Sequence, residues 1–346
     1  MYGTELLKAM VNKEPVDRFA VSGWVHLPEV DMNAKDFAKR TIDFTDNNGY
    51  DFVKMMFNAH FMTTAYGAKI KYSTDPRIWY GDIQEYPLNH PVDYANLEPL
   101  DIENSSLMLE VEATKKVVEH YKGKVPVIAT LFSPITSLQE MTSSTKATRT
   151  IKMMEHSPKE LHHALEAVTE TIIRFGKKLL EVGADGIFYA NQFCCTDVIT
   201  REQHEEFSRP YDLKILNAMR EAGSWFNMMH IHGSGNYMMD LFLDYPVDAY
   251  NWENIAAPGL EPTSIAQMKA MTDKILICGV DKHNDFFNDD NDREAVKAVL
   301  RGRLEEALEV CKDKRFVFAP GCAMPCEARH YLFSLMREVV DELKYE

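Results

Sequence analysis

Apolar residues fall in short runs along this chain, and between the runs apolar positions recur every three or four residues. Short runs rich in β-branched and aromatic side chains predict buried strands, and the longer spacing predicts amphipathic helices. Eight runs qualify as strands: Arg18–Trp24, Asp51–Phe57, Val125–Phe132, Asp185–Ala190, Trp225–His232, Val247–Trp252, Lys274–Val280 and Arg315–Ala319. Helical patterns at Pro158–Val182, Arg201–Ala222 and Asp292–Cys311 lie between them. Each opens on capping chemistry: Ser157 before Pro158, Thr200 before Arg201, and the acidic stretch 289–292. Gly183 and Gly223 stand where C-terminal caps belong.

Strands apolar at nearly every residue, alternating with helices, imply a parallel sheet covered on both faces. Eight such units predict an α/β fold, a (β/α)8 TIM barrel, as a single domain over residues 1–346. A doubly wound sheet is the alternative, but no GxGxxG follows the first strand. The polar, proline-containing segment Tyr72–Glu110 reads as an insertion after strand 2, placed to form a lid or an interface.

In such barrels chemistry collects at the C-terminal ends of the strands. Those ends carry Trp24 and His26, Asn58 and His60, Ser133, Asn191 and Gln192, and His230 and His232. They continue with Asn251, Trp252 and Glu253, then Asp281 and His283, then Cys322 and Cys326. Five of the twelve histidines therefore fall on one face. Residues two apart on a strand share a face, so His230 and His232 can address one ion. Two imidazoles and a thiolate make an open zinc-type site, with Cys322 supplied by strand 8. The alternative is a hydrogen-bonded core histidine, a loop histidine and an ordinary buried thiol. Glu253, Asp281 and Asn58 are candidate acid–base or hydrogen-bonding groups, although a strand-end aspartate also serves as an N-cap. Trp24, His26, Asn191 and Trp252 are candidates to shape a substrate pocket, with barrel-mouth packing as the competing role for the aromatics.

Composition narrows the function classes. A net charge of −15 excludes an extended phosphate-binding surface, so no nucleic-acid partner is expected. No apolar run reaches the roughly 20 residues of a membrane span. The chain start lacks a signal-peptide core, and the six cysteines show no framework spacing. A cytoplasmic protein with reduced thiols is expected, including at the adjacent Cys194 and Cys195.

From about Pro15 onward the chain resembles the uroporphyrinogen decarboxylase superfamily. The resemblance is carried by Leu27-Pro28-Glu29 after strand 1 and Ser133-Pro134-Ile135-Thr136 after strand 3. Lys274–Asp281 (KILICGVD) and Phe316–Cys322 (FVFAPGC) complete it in order. The decarboxylases carry an arginine-bearing loop before Leu-Pro-Glu; here Val21 and Val25 occupy those places. Asn58 stands for their aspartate, and Glu140 falls near their tyrosine. The zinc-dependent corrinoid methyltransferase branch is the closer likeness. Its pattern of His-x-Cys after strand 5 and Cys after strand 8 is matched by His230 and Cys322, with His232 in the middle place. The resemblance implies Zn2+, a corrinoid supplied by a partner protein, a small methylated substrate or thiol, and a homodimer. A metal-independent carboxy-lyase is the alternative it leaves open.

Overall fold

The computed structural model describes residues 1–142, 147–287 and 292–345. Ten strands are formed among these described residues: β1 (Ala20–Val21), β2 (Val53–Lys54), β3 (Lys69–Lys71), β4 (Asp82–Glu85), β5 (Val127–Phe132), β6 (Gly186–Asn191), β7 (Met228–Ile231), β8 (Ala249–Asn251), β9 (Ile275–Val280) and β10 (Phe316–Pro320). All eight runs expected to be strands lie in one parallel sheet, ordered β1-β10-β9-β8-β7-β6-β5-β2. The ends of that sheet meet through the Asp51 N–H, which donates to the Val21 carbonyl at 2.8 Å, and Ser22 Oγ, which donates to the Phe52 carbonyl at 2.9 Å. The result is the expected (β/α)8 barrel.

Strand parity divides two cores. Ile128, Phe188, Ala190, Met228, Ala249, Ile277 and Val317 form the apolar filling inside the barrel. Their neighbours, including Tyr189, Met229, Tyr250 and Phe318, face outward into the larger core beneath the helices. Leu6, Leu7 and Met10 of the helix Gly3–Val11 pack with Phe52, Phe226 and Ile275 and seal the end opposite the site.

The helices follow the pattern with two local differences. Pro158–Glu181 is one long helix, but Ser157 makes no side-chain cap bond. The stretch expected as one helix over Arg201–Ala222 is two, Arg201–Phe207 and Arg209–Glu221, broken at Ser208. Pro210 lacks the N–H that would continue the ladder, so the chain restarts with proline in a first turn. Thr200 caps as expected, and Asp292 caps Arg293–Val310; residues 289–291 lie outside the described residues. Gly183 and Gly223 take left-handed φ angles of 103° and 96°. The insertion after strand 2 opens earlier than Tyr72, with the hairpin β3–β4, and the helix Met108–Tyr121 begins before Glu110. Among the described residues no helix is long and apolar enough to cross a membrane. All six cysteines are free thiols.

Candidate active site and metal centre

The mouth of the barrel opens on a cavity of about 400 Å³, lined among others by Trp24, His26, Lys54, Phe188, His230, His232 and Cys322. A wider vestibule of about 590 Å³ adjoins it and shares Trp79, Glu140, Gln192 and His232 as walls. Trp79, from the β3–β4 hairpin, stacks on His26 at 4.5 Å with the rings 6° from parallel, so the insertion roofs the cavity.

His230, His232 and Cys322 each offer one donor atom, and those atoms lie within 4.8 Å of one another. Local structure explains the convergence. His230 ends the inward-facing row of β7, and His232 follows two residues on. Cys322 is carried by the turn after β10, where Gly321 packs against backbone: a Cβ there would meet Trp252 O at 2.5 Å. His230 Nδ1 lies 2.6 Å from Asn251 Oδ1. Asn251 spends both amide hydrogens on the Ile277 and Pro320 carbonyls, at 2.8 and 3.0 Å. Its oxygen can therefore only accept, which makes Nδ1 the protonated nitrogen and leaves Nε2 as the lone-pair donor.

Burial would push the Cys322 thiol up, but its interaction with the adjacent His230 and His232 outweighs that and holds the thiol well below its usual range. Burial pulls His232 down, yet the bond to Cys322 and the charge there leave it raised, while His230 ends up lowered. Lys282 reinforces the thiolate. It bonds to Cys322 and pairs with Glu253 at 2.6 Å. The donor set thus carries a ready thiolate, one oriented imidazole and a second imidazole, the chemistry that zinc requires.

The other expected site residues divide by geometry. Trp24 and His26 line the cavity, and His283 reaches it with its ring 3.8 Å from Glu253. Asn191 and Trp252 do not line it. Both sit one position out of phase with the inward rows. Asn191 bonds to Ser208 at 2.8 Å and Asp212 at 3.0 Å, and the Trp252 indole N–H donates to the Thr263 carbonyl. Asn58 and Asp281 shape loops rather than the cavity. Asn58 donates to Asp31 and accepts from Tyr72 and the His60 backbone. Asp281 accepts from the His283 N–H and from the Asn284 amide, which ties the turn after β9 and caps no helix. Sequence reasoning assigned no site role to three cavity residues, of which it named only Glu140, as standing near the decarboxylases' tyrosine. Lys282 lies in a turn with no local signal. Glu140 is a buried carboxyl that burial lifts to about 8, with Gln192 donating to it at 2.9 Å. Lys54 is the lone charge in the apolar run Phe52–Phe57, and that contrast was its signal.

A closed parallel barrel with ionisable groups gathered at its strand ends defines an enzyme of the (β/α)8 class. The chain belongs to the family described as uroporphyrinogen decarboxylase (URO-D), which it matches over residues 9–343. It is 26% identical to the methylcobamide:CoM methyltransferase MtbA of Methanosarcina mazei, over 80% of this chain and 89% of that protein. It is 23% identical to the methylcobamide:CoM methyltransferase MtaA of Methanosarcina barkeri, over 93% and 92% respectively. A solved methyltransferase from Methanosarcina mazei superposes with a TM-score of 0.76 at 20% identity, covering 99% of both chains.

Proposed function

We propose that the protein is a zinc-dependent methyltransferase that moves a methyl group between a small substrate, a thiol or a methylated compound, and a corrinoid carried by a partner protein. The observation that carries this reading is the convergence of His230, His232 and Cys322 within 4.8 Å at the cavity wall. These three residues hold the metal, which when bound lowers the proton affinity of a substrate thiol and so supplies a nucleophile at neutral pH.

The rest is done by the chain itself. Asn251 fixes the His230 ring. Glu253 steadies Lys282, whose ammonium offsets the negative charge at Cys322. Glu140, raised to about 8 by burial, is protonated at neutral pH and close enough to feel the His232 charge, so it offers a neutral hydrogen-bond donor to the cavity and adds no negative charge there. Trp24, Phe188 and Trp79 exclude water around the reacting atoms. The vestibule is the side from which a bulky carrier reaches this cavity. The relatives are methylcobamide:CoM methyltransferases, which supports the corrinoid part of the reading.

A metal-independent carboxy-lyase acting on a poly-acid is disfavoured. Val21 and Val25 are buried apolar residues, and no arginine is among the cavity-lining residues described. The test is metal analysis of protein purified without chelator, together with methyl transfer from methylcobalamin to a thiol. One zinc per chain is expected, lost in Cys322→Ser and His232→Ala along with the transfer. Protein that turns over without bound metal would sink the mechanism.

A further inference from the structure

Lys54 ends the inward row of β2 and lines the cavity with 6% of its surface exposed. The neighbours of its amine are apolar: the Met56 thioether at 2.6 Å and the face of Phe188, 4.6 Å away. Among the described ion pairs none involves Lys54, whereas Lys282, the other lysine lining the cavity, is matched by Glu253. An ammonium largely cut off from water, with no carboxylate beside it, is unfavourable and gives up its proton readily. Burial accordingly pulls Lys54 down to about 7, with the charge at Cys322 opposing, so both forms are populated at neutral pH. The neutral amine has a free lone pair, and desolvated lysines of this kind attack carbonyl groups. The cavity beside it holds about 400 Å³ between walls that include Trp24, Phe57, Phe61, Phe132 and Phe188. Such walls suit a small uncharged molecule. His26 adds one polar atom to them: its Nδ1 is buried and has no hydrogen-bond partner among the described residues.

We infer that Lys54 is the nucleophile of a carbonyl-capturing site, which condenses with a small uncharged aldehyde or ketone to give an imine. The Nζ lone pair attacks the carbonyl carbon, a C–N bond forms, and the C=O π pair moves to the oxygen, which takes one proton from the nitrogen. The carbinolamine then expels its hydroxyl together with the remaining nitrogen proton as water, leaving a C=N bond. Amine and carbonyl thus become imine and water, with no oxidant or reductant in the balance. The carbinolamine hydroxyl is a partner of the kind that the buried His26 Nδ1 lacks. The step draws on none of the three metal-binding side chains, so it stands or falls apart from the methyl-transfer reading.

The test is incubation of the intact protein at neutral pH with butanone and sodium cyanoborohydride, which reduces an imine to a stable secondary amine, followed by peptide mass spectrometry. Lys54 is expected to carry the sec-butyl group and to be labelled at least about tenfold faster than any exposed lysine, whose amine stays protonated at that pH. Lys54→Arg keeps a cation in place but has no amine that can condense, so it should lose this label while slow surface labelling continues. Lys54→Met should behave in the same way, which separates loss of the amine from any effect of the arginine. Metal-free protein is expected to give the same label at Lys54, so a failure of the zinc reading leaves the result standing. Label spread over exposed lysines with Lys54 unmodified, or a fast label that survives in both variants, overturns the assignment.

Discussion

At the scale of single residues, the site depends on one side chain that touches no substrate. Asn251 links three strands: it accepts from His230 of β7, and donates to Ile277 of β9 and to Pro320 of β10. That arrangement fixes both the tautomer and the plane of His230. Asn251→Ala frees the ring to rotate and strands two buried carbonyls. Groups of this kind alter metal affinity by about 10–100-fold. Competition for zinc with a chromophoric chelator should therefore show a weaker site in Asn251→Ala, with the metal still bound one per chain. An unchanged affinity would mean that packing alone orients His230. Asn251→Asp separates the contributions further. It keeps an acceptor for Nδ1–H but loses the donors to Ile277 and Pro320, so it should retain more affinity than the alanine variant.

At the scale of elements, the strands were legible because each is a short apolar run, and their C-terminal ends were legible because the barrel puts chemistry there. His230 and His232 were read correctly as sharing a face, since side chains two apart on a strand do so. Direction was the step that sequence could not supply for every strand end. Asn191 and Trp252 sit at strand ends, but one position out of phase, so they point under the helices. Asn58 and Asp281 were lost for a different reason. The chain turns immediately at both, and short polar side chains there satisfy loop backbone and neighbouring polar groups. Lys54 stayed hidden because a lone lysine in an apolar run carries no sequence mark of whether it snorkels or points inward.

The loop anchored by Asn58 makes its own prediction. Asn58 donates to Asp31, and burial lifts Asp31 to about 6; Glu110 nearby is raised too, by burial first and by the Asp31 charge second. The folded state thus holds the Asp31 proton more tightly than the unfolded chain. Its stabilising contribution is fully present below the unfolded value near 4 and is lost as pH rises through about 6. Asp31→Asn should remove that loss, on the order of 2 kcal/mol. Urea unfolding at a series of pH values between 4 and 7 would show a flatter profile for the variant. A profile parallel to the wild type would place the pH dependence elsewhere.

At the scale of the whole molecule, the barrel must be closed where the chain begins it, between two very short strands. β1 and β2 are not paired as a ladder; Asp51 ties them instead. It is 2% exposed and accepts from both Arg18 terminal nitrogens, at 2.9 and 2.7 Å, and from the Val21 N–H at 2.9 Å. Arg337, from the last helix, reaches the same carboxylate at 3.3 Å, and the Gly3 N–H reaches it at 3.3 Å from the first. The seam, the sealing helix and the closing helix therefore meet at a single buried charge. Its removal leaves the buried Arg18 without a carboxylate and Arg337 with Asp341 alone, which is why breaking such a pair costs far more than the pair contributes relative to an apolar packing. Asp51→Asn keeps the size and an acceptor oxygen but removes the charge. It should lower the unfolding free energy by roughly 3–5 kcal/mol. The loss belongs to closure of the barrel and not to the site, because Asp51 does not line the cavity. Zinc content and thiol affinity should accordingly be preserved in the folded variant at low temperature, while the urea midpoint falls. If Asp51→Asn were as stable as the wild type, the hydrogen bonds of the seam, rather than the charge at its centre, would be what holds the barrel shut.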